Sequence, residues 1–279
     1  MSFTTMAGLQ IHTYTAAAAG LFVNSYLLET EDGVVLVDAS LRVSDARALA
    51  ARITALGKPL LAAFVTHAHP DHFTGLPYVP GQDVPVYATA SVADAIARVA
   101  EPKRAQWQPT YGDEWPDTFR VPDHRLADGE AVDVGGVRVE AHDVGPGESH
   151  ADSYLLVPTG RRPVAFIGDI AFAGAHAYTA DGHTAAWLAT LDRLADELDG
   201  TVLRPGHGTQ HDAGLFDDQR RYLLIYREAV RRIASGGPSL TDDGKQELAA
   251  LLDRFLPGAP LSWMVGLGAD AVAAELAAA

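Results

Sequence analysis

The stretch Thr66-His67-Ala68-His69-Pro70-Asp71-His72 brings three imidazoles and a carboxylate together directly after an apolar run, Leu60-Leu61-Ala62-Ala63-Phe64-Val65. Side chains alternate along an extended segment, so His67 and His69 face the same side. Pro70 redirects the chain, and Asp71 and His72 then offer an oxygen and a nitrogen to the same space. Imidazole nitrogen and carboxylate oxygen are ligands for a borderline divalent cation such as zinc. A catalytic zinc takes about three ligands from protein, so four candidates in one segment point to two metals. Packing unpaired polar groups is costly, which weighs against a chance cluster.

Three later positions repeat one theme, a ligand-type residue where a strand starts or stops. His150 closes Gly145-Pro146-Gly147-Glu148-Ser149-His150, Asp169 follows Val164-Ala165-Phe166-Ile167-Gly168, and His207 lies in Arg204-Pro205-Gly206-His207-Gly208. Glycines nearby let the backbone turn tightly and approach an ion. Each residue alone also reads as a turn residue or a hydrogen-bonded core group. Joined to the first cluster, they complete a ligand set.

These residues need strands to hold them, and the chain supplies an alternating pattern. Gln10–Thr15, Leu21–Glu29 and Val34–Val37 read as strands, followed by a helix from Asp45 to about Leu56. A strand at Val84–Ala88 and a helix at Val92–Ala100 come next. From Glu101 to Arg125, Pro102, Pro109, Pro116 and Pro122 alternate with Trp107, Tyr111, Trp115 and Phe119. Prolines at this spacing interrupt regular structure, so the segment reads as a long, semi-rigid loop able to overhang a site. Short strands resume after Gly129 at 131–134, 137–142, 153–157 and 164–167. A helix at Thr184–Leu198 and a strand at Val202–Leu203 complete an α/β pattern. The tail is helical in pattern at Arg220–Ile233, Thr241–Phe255 and Ala269–Ala278. We therefore expect a main domain over 1–216 and a helical extension over 217–279 packed on it.

Composition narrows the function. A formal net charge of −15 and a pI near 5.0 argue against nucleic acid or an anionic membrane as partner. With no cysteine, disulfides, thiolate ligands and a Cys nucleophile are excluded. No Gly-x-Ser-x-Gly elbow or phosphate-binding Gly-Lys loop is present, which removes serine-hydrolase and nucleotide-hydrolase readings. The start, Met1-Ser2-Phe3-Thr4-Thr5-Met6, lacks the basic and apolar regions of a signal peptide, and no apolar run is long enough to span a bilayer. A cytoplasmic protein is expected.

The His-x-His-x-Asp-His signature at 67–72, with His150, Asp169 and His207 in order, resembles the metallo-β-lactamase superfamily in its hydrolase branch over about Asn24–His211. The resemblance implies a four-layer αββα sandwich with two metals at one edge, zinc first and iron or manganese as substitutes. By the family's pattern His67, His69 and His150 hold one metal, Asp71, His72 and His207 hold the other, and Asp169 bridges them. Asp38 matches an acidic residue that orients a ligand imidazole from behind, and His211 is a second candidate for such support. The chain's lack of Cys separates it from lactamases that place Cys at the second metal. His69 stands where flavodiiron-type sites carry Glu, and Phe172 stands where quorum-sensing lactonases carry Tyr. Glyoxalase II-like thioesterases share the ligand types and a helical C-terminal part, but their glutathione-binding residues have no clear counterpart here.

The reading is a dinuclear metal-dependent hydrolase of a small ester, lactone, thioester or amide. Two cations acidify a bridging water to hydroxide near neutral pH, so no Ser or Cys nucleophile is needed, and Asp71 is the candidate to orient that water or pass on its proton. Trp107, Tyr111, Trp115 and Phe172 are expected to wall the pocket, with His176 and His183 as further substrate contacts. The partner is then a small acyl substrate with an apolar portion. Two alternatives stay open, a mononuclear iron persulfide-type dioxygenase and a non-catalytic metal-binding protein of the same fold. With ordinary imidazole pKa values of about 6.5, metal loss is expected below about pH 5–6.

Overall fold

Strands form where the chain runs apolar over several residues, and the runs Val34–Val37 (β3) and Val164–Gly168 (β10) are buried along their whole length. Burial on both faces requires a layer on each side, which sheets with helices packed outside provide. The computed structural model describes residues 9–81 and 83–278, so the N-terminal segment Met1–Met6 lies outside the described residues.

Among the described residues the two sheets have six and five strands, and the first runs in the order β1-β2-β3-β4-β5-β6. They are β1 (Gln10–Thr15), β2 (Asn24–Glu29), β3, β4 (Leu60–Phe64), β5 (Val86–Thr89) and β6 (His124–Leu126). Strands β3 to β6 pair in parallel, joined through helices α1 (Val43–Ala55), α2 (Pro70–Phe73) and α3 (Ala90–Tyr111). The second sheet has five strands in the order β11-β10-β9-β8-β7. These are β7 (Glu130–Val134), β8 (Val137–Gly145), β9 (Asp152–Val157), β10 and β11 (Val202–Pro205), with α4 (Thr184–Glu197) connecting the parallel pair β10 and β11. Helices α5 (Gly214–Ala234), α6 (Asp242–Phe255) and α7 (Trp263–Ala278) end the chain.

Three apolar cores define four layers. Leu49, Ile53, Val92 and Ile96 pack on Leu36 and Ala63, which seals α1 and α3 to the outer face of the first sheet. Leu28, Val35 and Phe64 meet Val139, Leu155 and Phe166 between the two sheets. Trp187, Leu191 and Leu194 of α4 pack on Ile167 and Leu203, and the same core continues through Tyr226, Leu248 and Val265 into α5, α6 and α7. The architecture is the αββα sandwich with a helical C-terminal region.

One expectation changes. Glu101–Tyr111 is not loop but the second half of α3, which runs unbroken through Pro102 and Pro109. A helical proline lacks its own donor and frees the carbonyl four residues back, here Arg98 and Ala105. All four residues are solvent-exposed, so water satisfies what the prolines release. The consequence is a half-buried stripe at four-residue spacing, Lys103, Trp107 and Tyr111, on one face of α3.

Because β3, β4, β10 and β11 all run the same way within their parallel pairings, their C-terminal ends open onto one edge of the sandwich. Two stitches hold the sheets together there. His67 bridges to Asp152, with the Ser153 backbone N–H donating to the Thr66 carbonyl at 3.1 Å. Val23 bridges to His207, and the Asn24 side chain donates to the carbonyls of Pro205 (3.1 Å) and Gly208 (2.7 Å).

Candidate metal centre

Each ligand-type residue sits where a strand releases the chain. Asp38 follows β3, His67 and His69 follow β4, and Asp71 and His72 stand in the short α2 that Pro70 opens. Asp169 follows β10, and His207 follows β11. All of these side chains are buried. A Cβ at Gly206 would overlap the Asp169 carboxylate and crowd the His72 ring, so only glycine lets β11 end this close to the cluster.

The structure does not bring His150 into this cluster. Its imidazole is 50% exposed, lies 2.7 Å from His183 Nε2 through Nδ1, and sits 3.7 Å from Asp181 through Nε2. Glu148 takes the inward position instead, fully buried, with Oε2 2.8 Å from His69 Nδ1 and 3.6 Å from His67 Nε2. The cause is local. The Asp152 carboxylate accepts from the Ser149 backbone N–H (3.1 Å) and Ser149 Oγ (2.7 Å), which folds 148–152 into a turn. That turn aims Glu148 inward and His150 at solvent.

Three sets of ligand atoms converge, each within 4.8 Å: His67, His69 and Glu148; His67, His72 and Asp169; and Asp71, His72 and His207. Asp169 spans the halves, with Oδ1 3.4 Å from His72 Nε2 and Oδ2 3.3 Å from His207 Nε2 and 4.0 Å from His67 Nε2. His207 Nε2 is 3.3 Å from Asp71 Oδ2. Two ligands held at about 2.0–2.1 Å around a tetrahedral cation stand roughly 3.3 Å apart. The separations around Asp169 and Asp71 match that spacing better than the shorter spacing of a hydrogen bond, whereas Glu148 and His69 stand at hydrogen-bond distance. Moreover, His67 Nε2, His72 Nε2, Asp169 Oδ1 and both Glu148 oxygens are buried without an aligned hydrogen-bond partner. Orphaned polar atoms in such a group are costly unless something binds them. A donor set of imidazoles and carboxylates fits divalent zinc, iron or manganese.

The electrostatics of the bare ligands agree. Burial pulls His69 down, but Glu148 and Asp181 overcome it and raise the imidazole to about 10. For His207, burial is likewise overcome by Asp169 and Asp71, giving about 10. His72 is held well above the ordinary range, since Asp169, Asp38 and Asp71 outweigh its burial. His67 is pushed well below that range by burial and by His72. Burial raises Asp71, but His72 and His207 prevail and hold it near about 2. Glu148 and His69 are both displaced upward, Glu148 mainly by burial, which means they compete for one proton. We place that proton on His69, which faces a second carboxylate in Asp181.

The groups behind the ligands are well defined. His72 Nδ1 donates to Asp38 Oδ2 at 2.7 Å, while Asp38 also accepts from the Thr66 backbone N–H (2.9 Å) and Thr66 Oγ1 (2.8 Å). Asp38 has a φ of +58°, a left-handed conformation that Asp and Asn tolerate. His207 Nδ1 faces the Leu21 carbonyl at 3.0 Å, and Phe172 stacks on the His207 ring at 5.2 Å. On the other side Asp181 Oδ2 lies 3.3 Å from His69 Nε2. Tyr178 meets the His69 ring edge-on at 4.8 Å and donates to Asp181 Oδ1 at 3.3 Å. Asp38→Asn keeps the backbone conformation and removes the charge behind His72. It should lower metal affinity about 10–100-fold, as loss of a supporting carboxylate does. Competition against a chromophoric chelator measures this, and an unchanged affinity would refute the role.

Around the cluster is a cleft with about 520 Å³ of empty space. Trp107, Tyr111, Trp115 and Phe172 line it, joined by Leu21, Tyr178, Trp263 and Met264. The other expected contacts lie elsewhere. His176 is buried in the helical layer, with Nδ1 3.2 Å from the Tyr222 hydroxyl. His183 precedes α4 and pairs with His150. His211 is exposed on the Leu203 bridge beside the Asp212 carbonyl, so it supports no ligand of the cluster. Glu148, Tyr178 and Asp181 were missed. Only Glu148 left a signal, since it lies two residues from His150 in the same glycine-rich turn.

The profile of the metallo-beta-lactamase superfamily matches residues 18–207. Among solved structures, a metallo-beta-lactamase from Pontibacter korlensis is 24% identical, covering 80% of this chain and 97% of that one, with a TM-score of 0.61. A beta-lactamase domain protein from Burkholderia ambifaria is 20% identical over 98% of this chain and 87% of its own, at a TM-score of 0.70. A double mutant of the sec-alkyl sulfatase PisA1 is 21% identical over 90% of this chain and 46% of that chain, at 0.63. No curated protein sequence matches.

Proposed function

This chain belongs to the metallo-beta-lactamase superfamily, and on that basis we propose that it is a dinuclear metal-dependent hydrolase of a small ester, lactone, thioester or amide. The observation that supports this is the set of buried ligand atoms, several of them unpartnered, that converge in three overlapping groups with Asp169 between His72 and His207. His67, His69 and Glu148 would hold one, and Asp71, His72 and His207 the other. Cations held there supply Lewis-acid polarisation of a carbonyl and a water acidified toward neutral pH.

The chain's own residues do the rest. Asp71 lines the cleft and stays ionised, so it can accept a hydrogen bond from the attacking water and fix its lone pair toward the carbonyl carbon. Asp38 and Asp181 hold the imidazoles of His72 and His69 in one orientation. Phe172, Trp107 and Tyr111 exclude bulk water from the face where the substrate's apolar part rests. Lys103, a cation near the cleft, donates to the Tyr178 hydroxyl at 3.2 Å and sits 3.9 Å from Asp181, so its charge is engaged. The arginines of α5 are paired as well: Arg220 with Asp192, Arg227 with Glu275 and Arg232 with Glu247. This distribution supports a neutral or singly charged small molecule over a polyanion such as nucleic acid.

One observation favours a second reading. His67, His69 and Glu148 are themselves a two-histidine, one-carboxylate set of the kind that holds ferrous iron in oxygenases. Metal analysis, followed by an ester, thioester, lactone and amide panel that includes an alkyl sulfate, separates the possibilities. Two metals per chain with turnover of an acyl substrate are expected. A single iron with consumption of dioxygen would select the oxygenase, and absence of any turnover would select a binding protein. For an active substrate, kcat/KM should change less than about twofold between roughly 50 and 200 mM salt, an interval over which many-phosphate contacts weaken by orders of magnitude.

A further inference from the structure

The metal cleft does not end at its own wall. A second, more open hollow of about 930 Å³ lies beside it, lined by Ala18, Ala19, Leu21, Arg42, Trp107, Thr110, Tyr111, Glu114 and Trp263. Leu21, Trp107, Tyr111 and Trp263 line both spaces. Trp107 from α3 and Trp263 from the start of α7 meet edge to face, with ring centroids 6.1 Å apart. Trp263 is 48% exposed, an uncommon state for a tryptophan unless something covers it. The two indoles therefore form a lintel, with the ligand cluster on one side and the outer hollow on the other.

We propose that this groove binds an extended, uncharged apolar arm of the substrate, which runs from the metal cluster beneath Trp107 and Trp263 to Ala18 and Ala19. The proposal rests on the hydrolase reading and names its substrate class: esters or thioesters with a long alkyl or aryl-alkyl chain, as opposed to compact lactones. Three observations carry it. First, the outer hollow adjoins the candidate centre, since four residues line both. Second, its shape suits a chain. Its lining runs along one turn of α3 from Trp107 to Tyr111, about 6 Å, and on to Ala18 and Ala19, so the space is elongated rather than rounded. Third, its far end offers no free charge, because Arg42 is paired with Glu114 at 3.4 Å and Asp45 at 3.8 Å. A terminal carboxylate on the arm would find no unpaired cation there.

The test uses the zinc-loaded full chain and 4-nitrophenyl esters from acetate to decanoate. Each added methylene that enters the groove should raise kcat/KM about fourfold, mainly through KM, until the chain outgrows it. Trp263→Ala and Trp107→Ala should each lower the decanoate-to-acetate ratio of kcat/KM at least tenfold. Ala19→Trp, at an exposed position and so tolerated by the fold, should fill the outer hollow and lower the same ratio. Equal kcat/KM across the series, with hydrolysis intact, would overturn the groove and leave the hydrolase reading standing. If no ester turns over, the hydrolase reading falls and the groove is judged by binding. Decanoate should then quench tryptophan fluorescence at concentrations at least about 100-fold below acetate, and less so in Trp263→Ala. Equal binding of the two acids would overturn the groove by that route also.

Discussion

Glu148→Ala is expected to leave one tightly held metal per chain and to cut turnover roughly 10³-fold, the scale of losing one electrostatic stabiliser of a transition state. His150→Ala is expected to keep both metals and most of the activity. The contrast follows from the turn at 148–152. The Asp152 carboxylate ties down Ser149, so Glu148 is buried against His67 and His69 while His150 faces water beside His183. Removing Glu148 leaves His67 and His69 to hold their cation with Asp169 as its one remaining carboxylate, whereas removing His150 deletes a side chain that touches no ligand of the cluster. Glu148→Gln separates charge from shape. It keeps the side chain's volume, lowers affinity at the same half of the site, and guards against a folding defect, which circular dichroism of the metal-free variants would report. Metal content after dialysis against a weak chelator reads the result. If His150→Ala loses a metal and Glu148→Ala does not, the assignment is inverted.

How much of this was legible in the sequence depends on how local each determinant is. His67, His69, Asp71 and His72 are contiguous and follow a strand, so period-two alternation and a proline were enough to aim them at one space. Asp38, Asp169 and His207 end apolar strands whose parallel pairing brings their C-terminal ends to one edge. Glu148 is different. Along an extended chain 148 and 150 would share a face, and only the Ser149–Asp152 hydrogen bonds decide which of them turns inward. The helix through Pro102 and Pro109 was hidden for a related reason, because the penalty for a helical proline depends on whether the freed carbonyl reaches water. Trp263 lies more than 50 residues beyond His207, and its place over the cleft depends on how α7 packs on α5 and α6. His176 shows the opposite case: its residue type suited the site, but Tyr222 and the helical core claimed it.

Metal binding should steepen with pH far more than ordinary histidines would allow. In the metal-free protein His69 and His207 are raised to about 10, and His72 is also raised, because carboxylates surround them. A cation must displace these protons, so loading at pH 7 should release roughly two to three protons per chain. Apparent affinity then rises with pH about 10²–10³-fold per unit, and it keeps rising toward pH 10. The sign is fixed by the direction of the shifts. A raised imidazole pKa means the proton outcompetes the metal up to a higher pH, so metal loss on acidification begins nearer neutrality than the pH 5–6 that unperturbed imidazoles imply. The metal-free fold should respond oppositely. Raised imidazoles stabilise it fully below about pH 6.5, and that stabilisation disappears as pH climbs through about 10. Chelator-treated protein should therefore lose melting temperature between pH 7 and 10, while zinc-loaded protein holds its own over the same interval. Calorimetry in two buffers of different ionisation enthalpy counts the protons, and chelator competition at pH 6, 7 and 8 gives the slope. A slope below tenfold per unit would mean that the imidazoles are already neutral before metal arrives, and the ring of carboxylates around them would need another purpose.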